Sequence, residues 1–186
     1  MPSSKSPLNQ QSEELLGLNL RAPVCNICLK SGILCQGCES RLKDGKISEL
    51  DVKISRILFE LAQKHRGLEK INFKHAIDTG NLIVLVVKRG EIRFAVGRGG
   101  KVVREIERRF QAKIRIVEEG TETRKLAQDL LTPAKLLGVN VLYAGGKQEY
   151  RVRVPRSHLK RLPASVDGTQ TALAKLTNKN IKLAFE

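Results

Sequence analysis

Slid forward by 67 residues without gaps, the middle of this chain lands on its own C-terminal part with many apolar positions in register. Val87 falls on Val154, Ile92 on Leu159, Ala95 on Leu162, Ile106 on Leu173, Ile114 on Ile181 and Ile116 on Leu183. Two positions fail, Val103 on Gln170 and Phe110 on Thr177. A diverged internal duplication accounts for this, and its competitor is chance agreement between two amphipathic stretches. The first copy reads as a helix from Ser48 to about His65, with Ser48 and Asp51 placed as a capping box and Gly67 as its stop. Strands follow at about Lys70–Asp78 and Leu82–Lys88, joined by the turn Thr79-Gly80-Asn81. A short helix (Glu91–Val96), a glycine loop, a helix to about Phe110 and a strand (Lys113–Val117) complete an α-β-β-α-α-β order. The second copy reads as helix Glu122–Leu131, strands Leu137–Ala144 and Gln148–Val154, a short helix Ser157–Leu162, a longer one Thr169–Leu176, and strand Ile181–Phe185.

Charge narrows the partner. Lys and Arg number 34 against 19 acids, a net +15. The excess is 0 over residues 1–22, +2 over 23–46, +7 over 47–118 and +6 over 119–186. It therefore sits in the folded body, where it attracts polyanions such as RNA, DNA or an acidic membrane surface. Aromatics make up only 4% of the chain, which disfavours folds that stack bases on aromatic platforms. No apolar run approaches the ~18 residues of a membrane helix. Met1 to Leu20 has no apolar signal core, so a cytoplasmic location is expected. Ser, Pro, Asn and Gln dominate Met1 to Ser12, and residues 1–22 read as a flexible tail.

The four cysteines stand as Cys25-Asn-Ile-Cys28 and Cys35-Gln-Gly-Cys38. Two such hooks place four thiolates around one tetrahedral ion, so one structural Zn2+ is expected. Disulfides fit poorly without a secretion signal, and a redox pair is the remaining alternative.

The chemistry centres on Val96-Gly97-Arg98-Gly99-Gly100-Lys101-Val102-Val103. Glycines let a ribose-phosphate chain approach the backbone, and a following helix N-terminus favours phosphate. Arg98 and Lys101 add charge there, and Arg104 and Arg108 lie one and two turns on. Ile92, Val96 and Val103 would offer an apolar groove for bases. From Lys88 to Arg115 there are ten Lys/Arg against three acids. A P-loop is excluded because Val102 stands where Ser or Thr is needed, and a dinucleotide fingerprint because its third glycine is missing. The shift puts Ala164-Ser165-Val166-Asp167 on the loop's counterpart, where no glycine remains and Asp167 would repel phosphate. Arg151, Arg153, Arg156, Lys160 and Arg161 still form a basic strip, readable as a backbone track or as a solvated face. His65, His75 and His158 are isolated, and no catalytic constellation assembles.

The Gly-x-x-Gly segment resembles the KH domain, whose loop joins two helices and clamps about four nucleotides of backbone. The element order resembles the type II arrangement, and a four-Cys knob before two such units is similar to the small NusA-like KH proteins of archaea. The resemblance covers about residues 24–186. It implies an α+β fold: a flexible tail (1–22), a zinc-binding module (23–46), a first type II KH domain with the loop (47–119) and a second with a degenerate loop (120–186). It also implies a non-enzymatic protein that grips single-stranded RNA through Gly97, Arg98, Gly99, Gly100, Lys101, Arg104 and Arg108. A transcription elongation or termination factor near RNA polymerase is the expected role. A ribosome-associated or ribosomal rRNA-binding protein is the alternative, and an adaptor for a nuclease or modifying enzyme a third reading. No membrane or small-molecule substrate is expected.

Overall fold

A computed structural model describes residues 20–144 and 146–186. Most of the expected N-terminal tail, residues 1–19, lies outside them. Its last three residues do not form a free end. Leu20 is buried in the first core, and the Phe73 amide donates to the Arg21 carbonyl at 2.9 Å. An apolar side chain and a backbone bridge therefore tie this stretch to the first sheet.

Two short helices carry the cysteine hooks, α1 (Asn26–Ser31) and α2 (Gln36–Lys43), each starting just after a cysteine. Helix α3 (Glu49–Lys64) starts with both bonds of the anticipated capping box, Asp51 N–H to Ser48 Oγ (3.0 Å) and Ser48 N–H to Asp51 Oδ2 (2.8 Å). The same buried carboxylate accepts the Ala76 amide at 2.6 Å, so the cap also fixes α3 to the first sheet. A 3-10 turn, Arg66–Lys70, buries Leu68 and delays the first strand from residue 70 to Phe73.

Strands β1 (Phe73–Asp78) and β2 (Leu82–Val87) lead into α4 (Ile92–Val96), a 3-10 turn (Arg98–Gly100), α5 (Lys101–Phe110) and β3 (Lys113–Glu118). The second pass is α6 (Thr123–Leu131), β4 (Gly138–Ala144), β5 (Lys147–Val154), a 3-10 segment (Arg156–Arg161), α7 (Val166–Thr177) and β6 (Ile181–Phe185). The short helix expected at 157–162 is thus 3-10. Helix α7 begins three residues early, because Ser165 Oγ accepts the Gly168 amide (3.1 Å) and caps it.

Each pass makes a three-stranded sheet, β1-β2-β3 and β4-β5-β6. The middle strand runs antiparallel to its predecessor and parallel to its successor. The parallel registers are related by the 67-residue shift: Ile83↔Ile114 becomes Tyr150↔Ile181, and Leu85↔Ile116 becomes Val152↔Leu183. The two passes therefore share one parallel register.

Every residue of β2 is buried. Ile83, Leu85 and Val87 join α3, α4 and α5 in one core, together with Leu20, Val24, Cys28, Leu29 and Cys38. Leu82, Val84 and Val86 join the other, with Leu126 and Leu130 of α6, Leu173 of α7, and Val152 and Ile181 of the second sheet. The cysteine module and the second pass are therefore each welded to the first sheet. No helix among the described residues is long and apolar enough to cross a membrane.

Candidate nucleic-acid interface and metal centre

Cys25, Cys28, Cys35 and Cys38 bring their sulfurs within 4.8 Å of one another. The Cys25–Cys28 separation is 3.3 Å and Cys25–Cys35 3.9 Å. Four thiolates at ~2.3 Å around a tetrahedral ion stand ~3.8 Å apart, so the cluster can hold a metal ion with little movement. Cys28 and Cys38 face the core, while Cys25 and Cys35 are exposed. The Cys35 amide donates to Cys28 Sγ at 3.0 Å, and Arg41 anchors the entry by donating to the Pro23 carbonyl at 2.8 Å. Burial pushes the Cys28 thiol up to about 12 and raises that of Cys38. The Cys38 amide directed at Cys35 brings the Cys35 thiol down to about 7.

The glycine loop holds three residues at positive φ: Gly97 (+73°), Gly99 (+61°) and Gly100 (+73°). Gly97 also has ψ 167°, a combination essentially confined to glycine. A Cβ there would meet Val102 Cγ2 at 2.6 Å, whereas one on Gly99 would meet open space. The Gly100 amide closes the turn on the Gly97 carbonyl (3.0 Å), which aims the loop at the N-terminus of α5. Arg98, Gly99 and Lys101 are exposed there, and Arg104 lies one turn on with Nη1 close to Gly100.

Beside the loop runs a groove of about 640 Å³. Val96, Gly100, Val103 and Arg104 form one wall, and Ile114, Arg115 and Ile116 of β3 the other. Pro133, Arg161 and Leu162 from the second pass close its end. The fold thus brings Val96, Gly100, Val103 and Arg104 to one groove. Arg108 turns instead into an adjacent hollow with Gly80, Asn81, Lys113 and Ser165. Ile92 does not line the groove. It is half-buried against the first core, with its amide 3.4 Å from Glu118 Oε1. The sequence marks Lys113 and Arg115 only as basic charge and Arg161 only as part of the second pass's basic strip. Their convergence depends on the packing of α6 and the 3-10 segment, shown by Arg115 Nη2 donating to the Thr132 carbonyl at 2.6 Å.

The second pass offers no matching loop. Asp167 lies in the first turn of α7, where its charge meets the helix N-terminus. The basic strip is partly neutralised: Glu149 holds Arg151 (3.3 Å) and Lys182 (2.7 Å), and Glu186 holds Arg153 (3.0 Å). Lys182 keeps the Glu149 carboxyl below the usual carboxylate range. His158 is a packing residue, its Nδ1 accepting the Lys135 amide at 2.9 Å.

Comparison with known proteins agrees with this geometry. Residues 82–129 match the KH domain family model, a span that opens on β2, includes the glycine loop and ends within α6. The chain is 32% identical over 89 residues to a probable transcription termination protein NusA of Methanococcus vannielii, covering 46% of this chain and 51% of that protein. It is 32% identical over 63 residues to the protein so named in Methanocaldococcus jannaschii, covering 34% of each. The matched part is thus about a third to a half of the length of these relatives. A solved structure, "Crystal structure of APE1850", superposes with a TM-score of 0.51 at 18% identity, covering 70% of this chain and 96% of that one, which is a likeness of fold. A match to the KH domain family model, partial similarity to two archaeal proteins named probable transcription termination protein NusA, and a four-cysteine cluster able to hold a metal ion are thus found together.

Proposed function

We propose that this KH-domain chain grips single-stranded RNA in the groove beside Gly97–Gly100 and acts as a NusA-like transcription elongation or termination factor beside RNA polymerase in the cytoplasm. It works by binding and not by catalysis. The observation that carries this reading is the three-glycine loop beside a groove lined by Val96, Val103, Ile114 and Ile116 and by four basic side chains, Arg104, Lys113, Arg115 and Arg161, against one acid, Glu107. A phosphate seated over the loop meets glycine backbone and the N-terminus of α5, with Arg98, Lys101 and Arg104 around it, while Val96 and Val103 lie under the bases. Arg108 and Ile92 belong to the proposed contact set only as flanks, Arg108 through its neighbouring hollow and Ile92 by supporting α4. Residues 23–46 form a module around one structural Zn2+, and residues 47–119 and 120–186 form tandem type II KH domains. The second props the first and extends its basic surface.

The test compares two double substitutions. R98D/G99D puts two carboxylates on the exposed loop, and single-stranded RNA affinity is expected to fall at least tenfold, about 1.4 kcal/mol. The matched pair S165D/V166D preserves a good helix cap at residue 165 and should cost much less. Equal losses, with both proteins folded by circular dichroism, would refute the asymmetry. No binding by the parent protein would refute the RNA reading itself.

A further inference from the structure

The two sheets have four outer edges, and three are closed in the same way. On β1 the Ala76 amide donates to Asp51 of α3 (2.6 Å). On β3 the Ile114 amide donates to Glu107 of α5 (3.1 Å), and on β6 the Leu183 amide donates to Gln170 of α7 (3.2 Å). In each case a helix side chain takes an amide that points away from the sheet. Strand β4 has no such plug among the described residues.

The direction of its backbone follows from the pairing. The Tyr150 amide donates to the Asn180 carbonyl, so Tyr150 faces β6 and its cross-strand neighbour Val141 turns its own N–H and C=O outward. By alternation Val139 and Tyr143 do the same. Strand β4 also lacks the usual guards of an exposed edge. Gly138-Val-Asn-Val-Leu-Tyr-Ala144 contains no charge and no proline, and its pairing with β5 keeps one register from Gly138 to Ala144. Its apolar side chains stand in water: Tyr143 is 75% exposed, Val141 41% and Leu142 37%. Val139 on the same strand is half-buried against the second core, so the apolar face of β4 runs from the core out past its helical cover.

We propose that β4 is a docking edge that takes an extended, acidic segment of a partner protein as a fourth strand of the second sheet. Main-chain bonds to Val139, Val141 and Tyr143 would supply affinity, and alternate apolar side chains would cover Val141 and Tyr143. The charge selects the occupant. Residues 119–186 carry +6 and the whole chain +15, so a second copy pairing edge to edge is repelled while acidic residues flanking the new strand are drawn in.

The probe is a nine-residue capped peptide of alternating aspartate and valine, titrated into the 15N-labelled full chain, with the lysine–valine peptide as control. The acidic peptide should shift and protect the amides of Val139, Val141 and Tyr143 and bind at least tenfold more tightly than the basic one at low salt. Val141→Pro removes an outward donor and no bond to β5, so it should abolish binding with the fold intact. If that variant unfolds, Leu142→Glu, which repels the acidic peptide, takes its place. The proposal is overturned by the absence of a response at these amides, by equal binding of both peptides, by self-association of the free chain through the same amides, or by their response to oligouridine instead.

Discussion

A methyl group on Gly97 would lie 2.6 Å from Cγ2 of the buried Val102, in a backbone conformation that only glycine adopts readily. Gly97→Ala should therefore cost about 2–4 kcal/mol, combining backbone strain with an overpacked core. Gly99→Asn, into open space at φ +61°, should cost less than about 1 kcal/mol. Urea unfolding of the two variants checks the difference. Residue chemistry also ranks the cysteines. In the metal-free protein Cys35 is exposed with its thiol near 7, while Cys28 is buried with its thiol near 12. Iodoacetamide should modify Cys35 far ahead of Cys28, with half-maximal rate near pH 7, and loaded metal should protect both, as read by peptide mass spectrometry. The linked stabilities have opposite signs. The lowered Cys35 value favours the fold above the unfolded thiol value of 9.0 and loses that contribution as pH falls through about 7. The raised Cys28 value favours the fold below 9.0 and loses its contribution as pH rises toward 12.

Among the elements, α3 depends on one carboxylate. Asp51 caps the helix and takes the Ala76 amide of β1, so Asp51→Ala would leave two donors without partners. A loss of about 2–4 kcal/mol is expected, against about 1 kcal/mol for an ordinary cap, and thermal melts of Asp51→Ala beside Ser48→Ala separate the two. The cysteine module behaves as an element of the first core and not as an appended knob, since Val24, Cys28, Leu29 and Cys38 lie in that core. Independence of the module, which its separate motif suggests, does not follow. Metal removal should raise amide exchange in α1 and α2 and also in the adjoining part of α3. Exchange changes confined to residues 23–46 would contradict the shared core.

Over the whole molecule the governing fact is that β2 is buried on both faces and feeds two cores. The two passes should unfold in one calorimetric transition, with van't Hoff and calorimetric enthalpies equal. A fragment ending at residue 119 would expose Leu82, Val84, Val86 and Val117, and it should aggregate or melt well below the full chain. The charge also acts at this scale. Contact with four to six phosphates gives a slope of log K against log salt of about −3 to −4, measurable by fluorescence titration with single-stranded RNA. A slope near zero would leave the basic surface to a protein partner.

Local signals were legible along the chain wherever the physics was local. The capping box of α3, the paired cysteine hooks, the glycine loop and the 67-residue shift all depend on residues close in sequence or on periodicity, and the parallel registers of the two passes follow the same shift. The sequence points to a start of α7 three residues late, because Ser165, which caps the helix, stands in a stretch that aligns with the glycine loop. What the sequence could not contain was which face of each strand meets which helix. Periodicity marks β2 as wholly apolar without saying that its two faces serve different passes of the chain. Packing decided that Arg115 and Arg161 enter the groove, that Arg108 and Ile92 leave it, and that Asp51, Glu107 and Gln170 each take an amide of an outer strand while β4 has no such partner among the described residues. These are contacts between residues far apart in the chain, fixed only when two apolar surfaces are buried against each other.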